Sequence, residues 1–190
     1  MHKLVATNWK FHPTDNLAAS VLSPIFSKLS EVEFSITIGD KNSNSFDSNL
    51  DHQIKNTLLS LGAVEDKISI IDALSKEYDF VVSYSGHKIV GEIEKTNREK
   101  ILYDLLKCHM YLNSGASLAT LFLPTNYAHS NGVWNLYDEG IKRFDQCLRY
   151  DFGLTFYFKR ILLVGFDQVT SDGTRMTKAI RAKWVKEEKN

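Results

Sequence analysis

Two runs of residues separated by Ser85-Gly86 constrain the fold of this chain more than any other segment. Residues Tyr78 to Tyr84 (YDFVVSY) and His87 to Glu94 (HKIVGEIE) are rich in β-branched and aromatic residues, which favours strands. Glycine at the second loop position permits a positive φ, so a two-residue hairpin turn is predicted between them. The hairpin fixes which residues of the two strands face each other.

This register brings acidic residues together. A two-residue turn pairs Tyr84 with His87, so Asp79 lies opposite Glu92, and opposed residues have Cβ atoms ~5 Å apart. Glu94 lies two residues further on and points to the same face. Such a group of carboxylates repels itself unless a cation lies in it, and hard oxygen ligands suit Mg²⁺ or Mn²⁺.

The alternative interpretation is a solvated face of charged residues, as edge strands often carry. The segments Phe80-Val81-Val82 and Ile89-Val90 are continuously apolar, which is typical of central strands rather than edges. A cation site and a solvated face therefore both remain open, and the apolar flanks favour the first.

Composition limits the class of protein. The 190 residues suffice for one domain with a hydrophobic core, and residues 1–190 are interpreted as a single domain. Lys plus Arg and Asp plus Glu each total 23, which argues against a strongly basic, non-specific nucleic-acid binder. Cys108 and Cys147 are expected to be buried free thiols. With no signal-like or membrane-spanning segment, we expect a cytoplasmic protein without a membrane partner.

Hydrophobic periodicity predicts an α/β fold, a central mixed β-sheet flanked by helices. In the helix predicted over residues 98–112, Leu102 and Leu106 are among the residues expected to face inward. The crossover from Glu94 through this helix to the next strand is expected to place Glu92 and Glu94 in the centre of the sheet. The predicted helices are 15–30, 50–61, 98–112 and 136–150, the first capped by Thr14 or Asp15; the predicted strands are 31–39, 67–71, 78–84, 87–94, 117–123 and 160–166.

Downstream of the hairpin, the chain resembles the BamHI/BglII-type type II restriction endonucleases of the PD-(D/E)xK nuclease superfamily. The resemblance rests on an Asp in one strand and Glu-x-Glu in the next, with Thr96-Asn97 just after. A helix, a strand ending in proline, a helix bearing Phe144, an apolar strand ending Gly-Phe and a Ser-Asp-Gly segment with a basic tail follow in order. The likeness runs from about Tyr78 to the C-terminus. It implies a restriction-endonuclease-like fold.

The resemblance also implies roles for the acidic residues. Asp79 and Glu92 would hold the catalytic Mg²⁺, which Mn²⁺ is expected to replace, with help from the Ile93 carbonyl. Glu94 lies where most of the superfamily has lysine, and would orient or deprotonate the attacking water. Glu65 is a further metal-ligand candidate, with surface charge as its alternative.

Two segments supply the expected contacts with DNA. Lys95, Asn97 and Arg98 follow Glu94 where a helix starts, and Asn97 is equally suited to cap that helix. At the other end of the resemblance, residues 170–190 form either a DNA-contacting arm or a solvated amphipathic helix. The candidate contacts in that segment are Asp172, Gly173, Arg175 and Lys178.

The resemblance implies a Mg²⁺-dependent, sequence-specific endonuclease of double-stranded DNA that leaves 5′-phosphate and 3′-hydroxyl ends. A palindromic target implies a homodimer, because two-fold protein symmetry matches two-fold site symmetry. The loop before the 136–150 helix lacks the Asp-Arg pair that the family uses there for base reading, so the target sequence does not follow. A structure-specific repair nuclease and a non-cleaving DNA-binding module of the same fold are the alternatives.

Overall fold

A computed structural model of the chain describes residues 2–38, 46–47, 50–68, 78–95, 97–129, 132–150 and 155–187. Its strands are β1 (His2–His12), β2 (Glu33–Ile38), β3 (Phe46–Asp47), β4 (Val64–Glu65), β5 (Phe80–Tyr84), β6 (His87–Ile93), β7 (Leu118–Pro124), β8 (Tyr127–His129), β9 (Gly132–Trp134) and β10 (Ile161–Thr170). Its helices are α1 (Leu17–Ser27), α2 (Leu50–Ser60), α3 (Lys100–Asn113), α4 (Leu136–Arg149), α5 (Thr155–Phe158) and α6 (Lys178–Glu187).

Eight of these strands form one mixed sheet in the order β3-β2-β1-β10-β7-β6-β5-β4. The centre is parallel, since β7 runs parallel to both β6 and β10, while β5 and β1 run antiparallel to their neighbours. The α/β class and the mixed sheet between helices are therefore confirmed. None of the described helices is long and apolar enough to span a bilayer.

Alternation along the central strands divides the core into two layers. Ile89 and Ile93 of β6 pack with α1 and α2 on one face. Val90 of the same strand packs with α3 and α4 on the other face. Because side chains alternate between faces, Glu92 lies on the same side as Val90, under α3. The same rule places Asp79 with Val81 on that face.

The hairpin register is confirmed. Tyr84 pairs with His87 and Phe80 pairs with Gly91, with Ser85 and Gly86 in the turn. Both turn residues have positive φ values, 50° and 78°, as a two-residue turn that follows the strand twist requires.

Several sequence-based boundaries differ from the structure. The first helix is capped by Asn16, whose side chain accepts from the Ala19 N–H at 2.8 Å, rather than by Thr14 or Asp15. A short strand forms at Val64–Glu65, whereas Lys67 and Ile68 lie outside any strand and residues 69–71 lie outside the described residues. Strand β1 and the β8–β9 hairpin were not predicted.

The prediction that Leu102 and Leu106 face inward is wrong. They are 41% and 40% exposed, while Asp104 and Lys107 of the same helix are buried. Lys107 turns towards the end of β6 because its ammonium pairs with Glu92 there. Asp104, one turn earlier on the same face, is brought beside the like charges of Glu94 and Glu92.

The Phe80 ring covers Gly91 in the neighbouring strand, and a Cβ at Gly91 would lie 2.0 Å from that ring. Gly91→Ala is therefore expected to lower the free energy of unfolding by about 1–3 kcal/mol through overpacking. Urea denaturation measures this loss. The double variant Gly91→Ala/Phe80→Leu should lose less than the sum of the two single losses. Additive losses would show that the ring contact is not the cause.

Candidate active site

Asp79 is tied to the opposing strand end. It immediately precedes β5, and its Oδ2 accepts a hydrogen bond from the Ile93 N–H at 2.6 Å. Partial burial of the carboxyl group raises the pKa of Asp79 even though the residue keeps exposed surface. The hairpin therefore places Asp79 beside the end of β6, as the register predicted.

Glu92 is 5% exposed and is held by two side chains of α3. The Lys107 ammonium donates to its Oε2 at 2.7 Å, and the Tyr111 hydroxyl donates to its Oε1 at 2.7 Å. Burial raises the pKa of Glu92 and Lys107 opposes that rise. Burial alone would lower the pKa of Lys107, but the contact with Glu92 raises it. The short distance is that of a charge-assisted bond, so we assign an ammonium–carboxylate pair.

Glu94 is 6% exposed and follows the last residue of β6. Its backbone N–H donates to the Phe122 carbonyl of β7, which extends the sheet by one residue. Its Oε1 accepts from the Asn97 N–H at 2.8 Å, so this carboxylate holds the turn that leads into α3. Glu94 thus has a structural role in addition to any chemical one.

Asp104 of α3 joins these carboxylates. It is 6% exposed, and no donor among the described residues contacts its carboxyl group. Burial and the negative charges of Glu94 and Glu92 raise the pKa of Asp104 to about 7, while Lys107 and Lys100 oppose that rise. We call Asp79, Glu92, Glu94 and Asp104 the acidic group.

The acidic group consists of oxygen ligands of the kind that Mg²⁺ prefers, but its carboxylates are not gathered around one point. Among the described residues, no three His, Cys, Asp or Glu side chains lie close enough to hold a metal ion together. Three of the four carboxylates are instead turned towards protein donors: Ile93, Lys107 with Tyr111, and Asn97. A bound cation would have to draw the carboxylates together.

Polar residues also lie at the ends of the neighbouring strands β7 and β10, next to the acidic group. Strands β6, β7 and β10 are parallel, and open α/β sheets bind ligands at the carboxyl ends of such strands. Thr125, directly after β7, donates to Asp167 of β10, and Asn8 donates to the other oxygen of Asp167 at 3.0 Å. Asn8 adopts a positive φ of 51° within the irregular pairing of β1 and β10. Sequence reasoning did not single out this second polar group.

The predicted DNA-contacting residues lie in two places. Lys95, Asn97 and Arg98 lie beside the acidic group. Lys95 approaches Asp51 to 3.7 Å. The exposed Asn97 accepts from the Glu99 N–H within the turn before α3. The N-cap position of α3 is Glu99, which makes no side-chain capping bond, so the prediction that Asn97 caps this helix is wrong. Arg98 is exposed and lies 3.6 Å from Glu99. Lys95 and Arg98 therefore bring positive charge next to the carboxylates, each beside an acidic residue of its own.

The second set lies at the turn after β10. Asp172 accepts from the Thr174 N–H at 3.0 Å, and Gly173 has a φ of 82°, so both shape the turn. The turn directs Arg175 back, and its guanidinium lies 3.4 Å from Asp167 and 3.3 Å from Thr125. Lys178 is exposed at the start of α6. Of these four residues, Arg175 reaches the carboxyl ends of the central strands, where the acidic group also lies.

Glu65 lies on the edge strand β4 opposite Val82, and its exposed carboxylate pairs with Lys55. That contact lowers the pKa of Glu65. These contacts agree with the alternative interpretation of Glu65 as a surface charge. The role of Glu65 as a metal ligand stays a prediction.

Asp104, Lys107 and Tyr111 are the site residues that sequence reasoning missed. A signal was present, because they lie at i, i+3 and i+7, which is the spacing of one helix face. The buried residues Ile101, Leu105 and Cys108 share that face. Because Asp104 and Lys107 lie on a helix face that is otherwise apolar, they indicate a polar partner on the strand that this face covers.

No family model, no curated protein and no solved structure matches this chain. The interpretation of the site therefore depends on its own geometry and chemistry.

The raised pKa of Asp104 predicts a pH dependence of stability in metal-free buffer. Between the ordinary aspartate pKa near 3.8 and about 7, the folded state binds more protons than the unfolded state. The free energy of unfolding should therefore fall as pH rises through this window and level off above it. Urea denaturation at about pH 5 and about pH 8 measures the fall, which should be smaller in Asp104→Asn. Equal falls in the two proteins would contradict the assignment.

Proposed function

We propose that this protein is a Mg²⁺-dependent, sequence-specific endonuclease of double-stranded DNA, a type II restriction enzyme. It hydrolyses phosphodiester bonds to 5′-phosphate and 3′-hydroxyl ends. The observation that carries the proposal is the position of Asp79, Glu92 and Glu94, which share the α3 side of the sheet at the end of β6. The restriction-endonuclease-like form of the fold is part of the proposal.

The architecture supports this assignment. The β5–β6 hairpin leads through α3 to β7, which returns parallel to β6. This crossover fixes Glu92 and Glu94 in the middle of the sheet, with α3 above them and exposed basic residues beside them. A catalytic group on such a framework is held more rigidly than one on a loop.

Each residue of the site has a separate role in this proposal. Asp79, Glu92 and the Ile93 carbonyl would hold Mg²⁺ or Mn²⁺, since all supply hard oxygen atoms. A cation held there would supply Lewis acidity, which would lower the pKa of bound water and neutralise charge on the phosphate. Glu94 takes the proton of the attacking water, and the Asn97 N–H at 2.8 Å fixes the orientation of its carboxylate. Lys107 opposes the rise in the pKa of Glu92 that burial causes, and its ammonium donates to that carboxylate at 2.7 Å.

Basic and polar residues on both sides of the acidic group would hold the duplex. Lys95, Asn97 and Arg98 lie on one side, while Arg175 lies across β7 beside Thr125. The Glu94 N–H is hydrogen-bonded to the Phe122 carbonyl, and Thr125 follows Phe122 by three residues. Glu94 and the Arg175 contact at Thr125 are therefore about 10 Å apart along the direction of β7. Contacts from Asp172, Gly173 and Lys178 are part of the same proposal. Phosphate contacts of this kind position a protein on DNA without reading its sequence.

The proposed homodimer would use the outer face of α3. Leu102, Tyr103 and Leu106 leave large apolar side chains exposed there, on the helix whose opposite face contacts Glu92. Isologous packing of two such faces would set two acidic groups in a two-fold relation, as a palindromic duplex requires. Light scattering should give twice the mass of one chain, and a monomeric mass would instead favour the structure-specific repair nuclease.

Incubation with bacteriophage genomic DNA tests the function. In Mg²⁺ we expect discrete fragments whose ends ligate and can be sequenced to give the target, whereas EDTA should leave the DNA intact. A continuous smear would contradict sequence specificity.

The non-cleaving DNA-binding module remains a second candidate because Glu92 is engaged by Lys107 and Tyr111, and the acidic group is not gathered around one point. Retarded mobility of DNA without cleavage, in either Mg²⁺ or Mn²⁺, would support that candidate.

A further inference from the structure

Strand β1 carries one residue more than its partner near the carboxyl end of β10. Thr7 is paired with Asp167. Lys10 is paired with Gly165, so three steps along β1 correspond to two steps along β10. This pattern is a β-bulge, and bulges are enriched next to active sites. Asn8 within the bulge is exposed and has a positive φ of 51°, a conformation that asparagine adopts more readily than most residues.

The carboxylate at this bulge is already satisfied by neutral protein donors. Asp167 is 8% exposed; its Oδ1 accepts from the Thr125 hydroxyl and its Oδ2 accepts from the Asn8 amide at 3.0 Å. Burial alone would raise the pKa of Asp167, but these hydrogen bonds lower it. The guanidinium of Arg175 approaches the same Oδ1 to only 3.4 Å. Asp167 therefore does not need Arg175 to satisfy its oxygens.

Two exposed positive charges lie around this carboxylate. The Arg175 side chain is 58% exposed, and its contacts with Asp167 and Thr125 use one nitrogen of a group that has five N–H donors. Lys10 lies opposite Gly165, so it shares a face with Asp167 two residues further along β10. Diagonal neighbours of this kind are about 7–8 Å apart, within reach of a long side chain. Lys10 is exposed, and within the described part of the chain it forms no ion pair. We call the exposed donors at this place the bulge site: Asn8, Lys10 and Arg175.

The bulge site lies on the side of the sheet that carries the acidic group. Gly165 is covered by the ring of Tyr137, which belongs to the layer of α3 and α4. Asp167 is two residues further on, so it faces the same layer. Thr125, which contacts Arg175, is about 10 Å from the Glu94 end of β6 along the direction of β7. A duplex bound at the acidic group and lying along this edge would therefore also pass the bulge site.

The charge of the bulge site matches that of one phosphodiester. Two cations beside one buried carboxylate leave one net positive charge at the surface. A backbone phosphate carries one negative charge, which arginine binds through two parallel N–H donors, and amide side chains contribute neutral hydrogen bonds to the same oxygens. The site therefore suits a phosphodiester better than a carboxylate-rich or an apolar partner.

We propose that Asn8, Lys10 and Arg175 together bind one backbone phosphate of the DNA duplex. The inference rests on the proposed function, and it adds two residues of β1 to the protein–DNA interface. A phosphate held here positions the duplex over the acidic group without reading its sequence.

Duplex binding by the full chain tests this proposal. Fluorescence anisotropy of a labelled random-sequence duplex in EDTA gives the dissociation constant over a range of salt concentrations for the wild type, Lys10→Met and Arg175→Met. One phosphate contact changes the slope of log affinity against log salt concentration by about 0.9, which corresponds to about eightfold in affinity at roughly 0.1 M salt. Each substitution should weaken binding by about that factor and reduce the slope by about one unit.

Asn8→Gly tests the neutral donor. Glycine keeps the positive φ of the bulge but removes the amide. The substitution should weaken duplex binding by about threefold, as expected for one neutral hydrogen bond, and leave the salt slope unchanged.

The matched control is Arg149→Met. Arg149 is an exposed arginine in the last turn of α4, the end of that helix from which the chain leads to the amino end of β10. Its substitution should leave duplex affinity and salt slope unchanged. The double variant Lys10→Met/Arg175→Met should lose less than the sum of the two single losses, because both cations hold one phosphate. All variants should melt close to the wild type, since the substituted side chains are exposed.

Several outcomes would overturn the proposal: unchanged affinity and slope in either charge variant, an equal loss in Arg149→Met, additive losses in the double variant, or no duplex binding by the wild type. The two proposals fail separately. Weakened binding in both charge variants without any DNA cleavage by the wild type keeps the phosphate site and removes the nuclease. Cleavage by the wild type together with unchanged binding in both charge variants does the reverse.

Discussion

Glu92→Gln is expected to lower the single-turnover rate constant of DNA cleavage by about 10³-fold or more, equivalent to about 4 kcal/mol of transition-state stabilisation. Glu92 is the central member of the acidic group, since it contacts Lys107 and Tyr111 and lies between Asp79 and Glu94. Glutamine keeps the shape and one oxygen acceptor but loses the negative charge that a cation requires. Rapid-quench kinetics with enzyme in excess over a cleaved duplex measures the loss.

The matched control is Glu33→Gln. Glu33 is an exposed glutamate of β2 that pairs with Lys3 at 3.5 Å, far from β6 in the sheet order. Its substitution should leave the rate constant within about twofold, because exposed pairs contribute little. Circular dichroism should confirm that Glu92→Gln remains folded. A folded Glu92→Gln protein that cuts at the wild-type rate would contradict the assignment of the site.

Lys107→Met is expected to lower the free energy of unfolding by about 3–5 kcal/mol, measured by urea denaturation in EDTA. The substitution preserves an unbranched apolar stem but removes the ammonium that lies 2.7 Å from Glu92. Glu92 would then be a buried carboxylate beside Asp79 and Asp104, and the Tyr111 hydroxyl would be its one remaining side-chain donor among the described residues. Breaking one half of a buried ion pair costs more than the pair itself contributes.

Two comparisons isolate this cause. Lys3→Met breaks the exposed pair with Glu33 and should cost less than about 1 kcal/mol. The double variant Glu92→Gln/Lys107→Met removes both charges, so it should be more stable than Lys107→Met alone. A double variant that is less stable than either single variant would mean that packing of the lysine stem, rather than the charge of Glu92, explains the loss.

The hairpin could be predicted from the sequence because its determinants are local. Glycine at position 86 selects the turn, the turn fixes the pairing of Tyr84 with His87, and period-two alternation then places Asp79, Glu92 and Glu94 on one face. No contact with distant parts of the chain is needed for these steps. The same local reasoning identified α3 and α4.

Strand β1 escaped prediction because its partners are distant in sequence. It pairs with β10 from Leu4↔Thr170 to His12↔Leu163, and the register shifts between Thr7 and Lys10. Asn8, a polar residue within it, gains its partner Asp167 only when β10 is in place. A period-two pattern broken by such an irregularity gives a weak strand signal.

Part of the inward face of α3 was misjudged for a related reason, although Ile101, Leu105 and Leu112 are buried as predicted. Leucines mark the buried face of an ordinary amphipathic helix, but here Asp104 and Lys107 take that face and Leu102 and Leu106 are exposed. Helix spacing places Asp104 and Lys107 on the face of Ile101 and Leu105, but it does not name the partner of Lys107, which is Glu92 of another element. The prediction fails at the proposed functional site, where local preference and chemistry oppose each other.

The most direct test of the central claim is the conversion of covalently closed circular DNA in Mg²⁺. A set of plasmids that together contain all hexanucleotide sequences is incubated with the wild-type protein in Mg²⁺ and, in parallel, in EDTA. A dimeric, sequence-specific nuclease should convert some plasmids to linear molecules with little nicked intermediate, leave others intact, and do neither in EDTA. Plasmids that all remain supercoiled in both Mg²⁺ and Mn²⁺, or that are cut equally well in EDTA, would contradict the proposed function.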